Sequence, residues 1–194
     1  MKYLLFVSII VMSFNSKSHN PQVVITTEVG DIYVEVYLSK APVTSANFLN
    51  YVDSGRYNNR SCFYRVVRLD NQPDKPIKIE VIQGGFYEDS IVEKNQFALI
   101  KHETTKEAGI LHKDGVISMA RMEPGTASSE FFICIGDQPE LDYGGKRNPD
   151  GQGFAAFGRV IKGMDIVRKI QQLKDNAQYL SKPIKIKSVK RING

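Results

Sequence analysis

The chain has 194 residues, 26 of them lysine or arginine against 21 acidic residues, for a formal charge of +5. The excess is spread out except near the C-terminus, where Lys182, Lys185, Lys187, Lys190 and Arg191 fall in a largely alternating segment with no interleaved aromatic side chain. That pattern reads as the wet face of a strand and argues against nucleic acid as a partner.

Residues 1–18 read as a signal peptide. Lys2 precedes an apolar run from Tyr3 to Phe14, too short to span a bilayer, and Ser16 and Ser18 offer small residues for cleavage. An uncleaved anchor is the other reading. No cysteine lies near the segment, which speaks against a lipid-anchored lipoprotein. The expectation is an exported protein, periplasmic or secreted, with no stable membrane insertion after cleavage. Loss of Lys2 and Lys17 lowers the charge to +3. Residues 19–194, about 175 in number, suffice for one domain with a core.

Two alternating runs about Gly30 and Asp31, residues 23–38, predict a hairpin. Residues 41–55 predict a helix: Pro42 suits its first turn, Phe48, Leu49 and Val52 form an apolar stripe, and Gly55 stops it. "CFYRVV" (62–67) is a strand, and alternation puts Phe63, Arg65 and Val67 on one face. A polar loop with prolines, "RLDNQPDKP", leads to a strand ending in the glycine pair of "IKIEVIQGG". Residues 86–112 are irregular and charged, and read as mostly loop. Strands follow at "GVISMAR", "EFFICIG" and "FAAFGRVI", with the turn-rich "LDYGGKRNPDGQG" before the last of these. "GMDIVRKIQQLK" is a second helix with Ile166, Val167, Ile170 and Leu173 on one side, and "PIKIKSVKRI" is a final strand. Many short strands and two helices make a β-rich single domain; periodicity alone leaves barrel and sandwich open. Cys62 and Cys134 sit in apolar runs. An exported protein could pair them, but buried free thiols are the commoner outcome.

Several chemistries find no support. His102, Glu103 and His112 lack the H-E-x-x-H spacing, and the histidines read as surface or loop residues, so no metal is expected. The two aspartates of "DNQPD" lack the glycine and terminal glutamate of a calcium loop. There is no G-x-S-x-G elbow, and "GQGFAAFG" has the wrong glycine spacing for a dinucleotide.

"FYRVV", "VIQGG", "GVISMAR" and "SSEFFICIG", in that order and followed by "FGRVIKGMDIV", resemble the cyclophilins, the peptidyl-prolyl cis-trans isomerases. The resemblance runs from about Val23 to Ile192. It implies a closed eight-stranded antiparallel β-barrel capped by two α-helices, and isomerisation of X–Pro bonds without cofactor or metal. Proline-containing peptides and unfolded protein segments would be the partners, met by a monomer. By the same resemblance Arg65 is the catalytic arginine, and Gln83 binds substrate backbone and helps hold it. Phe132 is the floor of the proline pocket, Leu141 its wall and Ala120 part of the backbone groove. Val81, Glu130 and Phe154 stand at further substrate-binding positions where the family commonly has methionine, glutamine and histidine. Glu80 takes the place of a pocket-lining phenylalanine. That replacement, with the long loops 68–79 and 143–153, leaves a second reading open: a cyclophilin-like module that holds proline peptides with little or no turnover.

Overall fold

The computed structural model describes residues 20–192; the predicted leader lies outside them. The strands are β1 (Gln22–Thr27), β2 (Asp31–Val36), β3 (Ser61–Val67), β4 (Val81–Gly85), β5 (Val116–Met119), β6 (Phe131–Cys134), β7 (Ala155–Lys162), β8 (Asp175–Asn176) and β9 (Tyr179–Arg191). The helices are α1 (Pro42–Asp53), α2 (Asp89–Asn95), α3 (Thr105–Ala108) and α4 (Met164–Gln171). All strand pairings are antiparallel, in the order β1-β2-β7-β5-β6-β4-β3-β9-β8. Pairing of β1 with β9 closes eight of these strands into a barrel and leaves the two-residue β8 as a spur on β9. Closure removes the exposed edges that an open sheet of this size would present.

The barrel is filled by the inward-facing residues of each strand and by aromatic rings. Phe48 of α1 enters one end and packs against Phe157 at 5.0 Å and Phe131 at 5.7 Å between ring centroids. Tyr51, Tyr57, Phe63 and Phe86 complete the cluster, all fully buried or nearly so. Edge-on and tilted rings of this kind contribute beyond the area they bury. Val167 and Ile170 of α4 are buried in the same core. Backbones also meet closely: a Cβ on Gly158 of β7 would stand 2.4 Å from the Glu35 carbonyl oxygen of β2. Both thiols are free. Burial, with Glu130 adding to it, pushes Cys62 up to about 12, and burial raises fully buried Cys134 well above its ordinary range.

The structure corrects or refines three expectations. Phe63, Arg65 and Val67 do not share a face. The register slips between Phe63 and Arg65 against both neighbouring strands, so that Phe63 opposes Gly84, Arg65 opposes Gln83 and Tyr64 is the extra residue of a bulge. Phe63 and Val66 therefore join the barrel core while Tyr64 and Arg65 both reach the outer face. Residues 86–112 are mostly loop, as expected, but also hold the short helices α2 and α3. Thr104 caps α3 by accepting from the Glu107 N–H at 3.2 Å, and Glu107 accepts from the Thr104 N–H at 2.8 Å. Nor is this segment idle: the Glu103 carboxylate accepts from the N–H groups of Val43 and Thr44 at 3.2 and 2.7 Å, at the start of α1. Third, His112 lies in a loop, one of the two readings open to it, but is buried there, 1 % exposed.

Candidate active site

Three cross-strand neighbours form a row on the outer face of the barrel: Arg65 on β3 opposes Gln83 on β4, which opposes Phe132 on β6. Above them opens a cleft of about 640 Å³. Its apolar side is a separate small cluster outside the barrel, made of Val67, Ile79, Val81, Phe132, Cys134 and Leu141, with Ala120 and Phe154 packed on it. Of the residues singled out from the sequence, Arg65, Gln83, Phe132, Leu141, Ala120, Val81 and Phe154 all line this one cleft. Glu130 lines an adjoining cavity of about 450 Å³ that shares Tyr64, Gln83 and Ala120 with the first.

Arg65 is held by two amides. Its Nη1 donates to Gln83 Oε1 at 3.0 Å, and its Nε and Nη2 donate to Gln178 Oε1 at 3.1 and 2.6 Å. A guanidinium has five N–H groups, so these bonds leave one free on each terminal nitrogen. The orientation of Gln83 is set from behind. Its Nε2 donates to Tyr64 Oη at 2.7 Å, and Tyr64 Oη in turn donates to Glu130 Oε2 at 2.6 Å. Burial and then the Glu130 charge push the Tyr64 phenol far above its ordinary range, so it keeps its proton and remains the donor. Gln83 must therefore turn its NH2 toward Tyr64 and its carbonyl toward Arg65. Glu130 itself is fixed by the Phe86 N–H at 2.7 Å; burial raises its carboxyl against the opposing bonds from Tyr64, Phe86 and Ser129. Its part here is to anchor the chain of hydrogen bonds that ends at the guanidinium.

Gln178 carried no signal in the sequence. It sits in the turn between β8 and β9, where Ala177 and Gln178 both have positive φ, 48° and 75°. The turn is docked on β3 through Val66 N–H to Gln178 O at 2.8 Å, and the Gln178 side chain donates onward to Asn71 O at 3.1 Å. Behind it Asp175 accepts from the Gln178 N–H, Asn71 and Arg68. Burial disfavours the Asp175 charge, but these bonds outweigh it and hold the carboxyl below its usual range.

Phe132 is 4 % exposed and fixed on two sides. Phe154 meets it edge-on at 5.2 Å, and the His112 ring lies nearly parallel to it at 5.9 Å. His112 is pinned by Asp142 at 2.7 Å and Ser118 at 3.0 Å, which explains its burial without a metal. Phe154 is backed by the Arg121 guanidinium, 5.2 Å from its ring centre, itself paired in two bonds with Asp150 at 2.8 and 2.9 Å. Glu80 is not in the cleft. Its side chain accepts from Gln171 Nε2 at 3.3 Å, away from the cleft that Ile79, Val81 and Gln83 line. Aliphatic Ile79 and Val81 supply the wall instead.

Comparison with known proteins gives the same assignment. A family model described as "Cyclophilin type peptidyl-prolyl cis-trans isomerase/CLD" matches residues 22–191. The chain belongs to the cyclophilin-type peptidyl-prolyl cis-trans isomerase family. Over 176 residues it is 35% identical to a peptidyl-prolyl cis-trans isomerase of Acinetobacter baylyi, covering 88% of this chain and 85% of that one. It is 36% identical to peptidyl-prolyl cis-trans isomerase A of Dickeya dadantii, with 88% and 84% covered. A cyclophilin-type isomerase structure from Cryptosporidium parvum superposes with a TM-score of 0.71 at 23% identity, covering 91% of this chain and 99% of that one. The same protein was also solved in the presence of the dipeptide Ala-Pro, and that structure superposes with a TM-score of 0.70. The cyclophilin fold is thus shared even where sequence identity is low.

Proposed function

We propose that Arg65 accelerates cis-trans exchange of X–Pro bonds by donating to the prolyl nitrogen of the twisted amide, in a bacterial protein exported to assist the folding of other exported chains. Rotation about a peptide bond meets a barrier of ~18–20 kcal/mol because twisting destroys amide resonance. No covalent bond breaks, so neither nucleophile nor metal is required. The catalyst has only to bind the twisted amide more tightly than the planar one. Twisting makes the prolyl nitrogen pyramidal and frees its lone pair, which a planar nitrogen does not offer. A donor fixed in advance at that point acts on the transition state selectively.

The observation that carries this reading is Arg65 itself. It is held on one side by Gln83 and on the other by Gln178, with N–H groups to spare, beside an apolar socket floored by Phe132. The socket suits a proline ring, and Gln83 and Ala120 flank the path of a peptide backbone. An arginine stays charged and rigid where a lysine would be mobile. Export is supported by the short apolar run after Lys2. The reading as a binding module without turnover is motivated by Glu80 and the two long loops; the aliphatic wall of Ile79 and Val81 weighs against the part that rests on Glu80.

The test is exchange spectroscopy on an Ala-Pro peptide with catalytic amounts of the protein. Uncatalysed interconversion takes roughly 10–100 s, and the expected result is exchange fast enough to broaden or cross-correlate the cis and trans signals. Exchange at the uncatalysed rate, with the peptide bound, would overturn the reading.

A further inference from the structure

The cleft is charged in one sense only. Arg65, Lys75, Arg121 and Arg147 line it, and no aspartate or glutamate does, among the described residues. Arg121 is neutralised by Asp150. Arg65, Lys75 and Arg147 have no carboxylate within 4 Å among the described residues. Arg147 is half-buried and fixed in place: its backbone N–H donates to Glu140 O at 3.1 Å, and its guanidinium donates to Ile77 O on the other long loop. Arg65 and Arg147 line the same cleft, and burial and then the charge of Arg65 draw the basicity of Arg147 down. The adjoining cavity is mixed in charge, with Asp89, Glu130 and Arg121 in its lining. The two long loops that flank the cleft thus contribute Lys75 and Arg147, one cation each.

We infer that this site selects proline-containing segments bearing an anionic group, carboxylate or phosphate, on the residue next to the proline. An anion there would sit between Arg147 and Arg65, relieve their mutual repulsion and accept charge-assisted hydrogen bonds from a donor that is already in position. A cation at the same place would meet three unpaired positive charges. The inference rests on the isomerase reading of the same cleft, and adds to it which sequences are turned over.

The experiment uses two series of short Ala-Pro peptides, with glutamate, glutamine, lysine or phosphoserine placed directly after the proline in one and directly before the alanine-proline bond, in place of alanine, in the other. Each peptide is measured both by exchange and by titration. A charge-assisted bond predicts a preference of about tenfold or more for glutamate over lysine in at least one series, shrinking as salt rises. Lys75→Gln/Arg147→Gln should bring that ratio close to one. Lys75→Gln alone, at an exposed side chain, should lower it partway and serves where the double variant is unstable. Tighter binding of phosphoserine than of glutamate assigns phosphorylated segments as the targets; equal binding assigns acidic ones. A glutamate-to-lysine ratio within twofold in both series, or one untouched by the variants, overturns the inference and leaves the isomerase reading standing. If no peptide exchanges faster than background, the isomerase reading falls, and the titrations still decide the charge preference.

Discussion

Arg65→Ala is expected to lower the catalysed exchange rate by about 10²–10³-fold, the range seen when one preorganised transition-state donor is removed. Peptide affinity should fall far less, since the apolar socket of Ile79, Val81, Phe132 and Leu141 is untouched. The fold should survive: Arg65 is only half-buried, it has no ion pair among the described residues, and Phe63 and Val66 keep the strand anchored in the core. Arg65→Lys should rescue little. One ammonium cannot reproduce the planar fork that engages Gln83 and Gln178 together and still points at a third atom. Exchange rates for the three proteins on one peptide, with thermal unfolding of each, decide the matter. An alanine variant that keeps exchange within a few-fold of wild type would remove Arg65 from the reaction.

Phe132→Ala should damage stability and binding at once. Its ring is buried against Phe154 and His112 on the outer face of the barrel, and its loss leaves a gap under the cleft that these two rings no longer fill. Truncations of this kind cost about 3–5 kcal/mol. For a domain of this size that is roughly 10 °C in the unfolding midpoint. Peptide affinity should drop as well, because a proline ring would lose its floor. Phe132→Leu, closer in volume, separates the two effects: it should recover most of the stability and only part of the affinity. Unchanged affinity in a folded Phe132→Ala protein would mean that the ring packs without touching substrate.

The periodic parts of the chain were the readable parts. Alternating strands and the apolar stripe of residues 41–55 follow directly from side-chain direction, and the row Arg65, Gln83, Phe132 came from the family resemblance, whose motifs are these strands. What escaped lacked such a pattern or broke it. The bulge at Tyr64 inverts the faces that simple alternation assigns, and no residue at that point announces it. The short polar helices α2 and α3 have no apolar stripe, although Thr104 and Glu107 stand at capping-box spacing and could have marked α3. The burial of His112 in its loop was not legible, because its partners Ser118 and Asp142 are contributed by other elements. The place of Glu80 in the resemblance does not say which way its side chain turns, and it turns to Gln171. Gln178 is 113 residues from Arg65 in sequence, in a turn too short to carry any period.

That turn has a further consequence. Two-residue hairpins with positive φ at both centres are normally built from Asn-Gly, which adopts the left-handed region readily. Here alanine and glutamine occupy it, at a penalty of roughly 1–2 kcal/mol per residue. Strain of this sort persists only where the surroundings enforce it, and it gathers where a side chain must be presented at one point. On the proposed mechanism, stability and catalysis are set against each other at two adjacent residues. Rebuilding the turn as Ala177→Asn/Gln178→Gly should raise the unfolding midpoint while slowing exchange, because the relaxed hairpin no longer carries the amide that restrains Arg65. A rebuilt protein that is more stable and equally fast would show the hairpin to be mere trim.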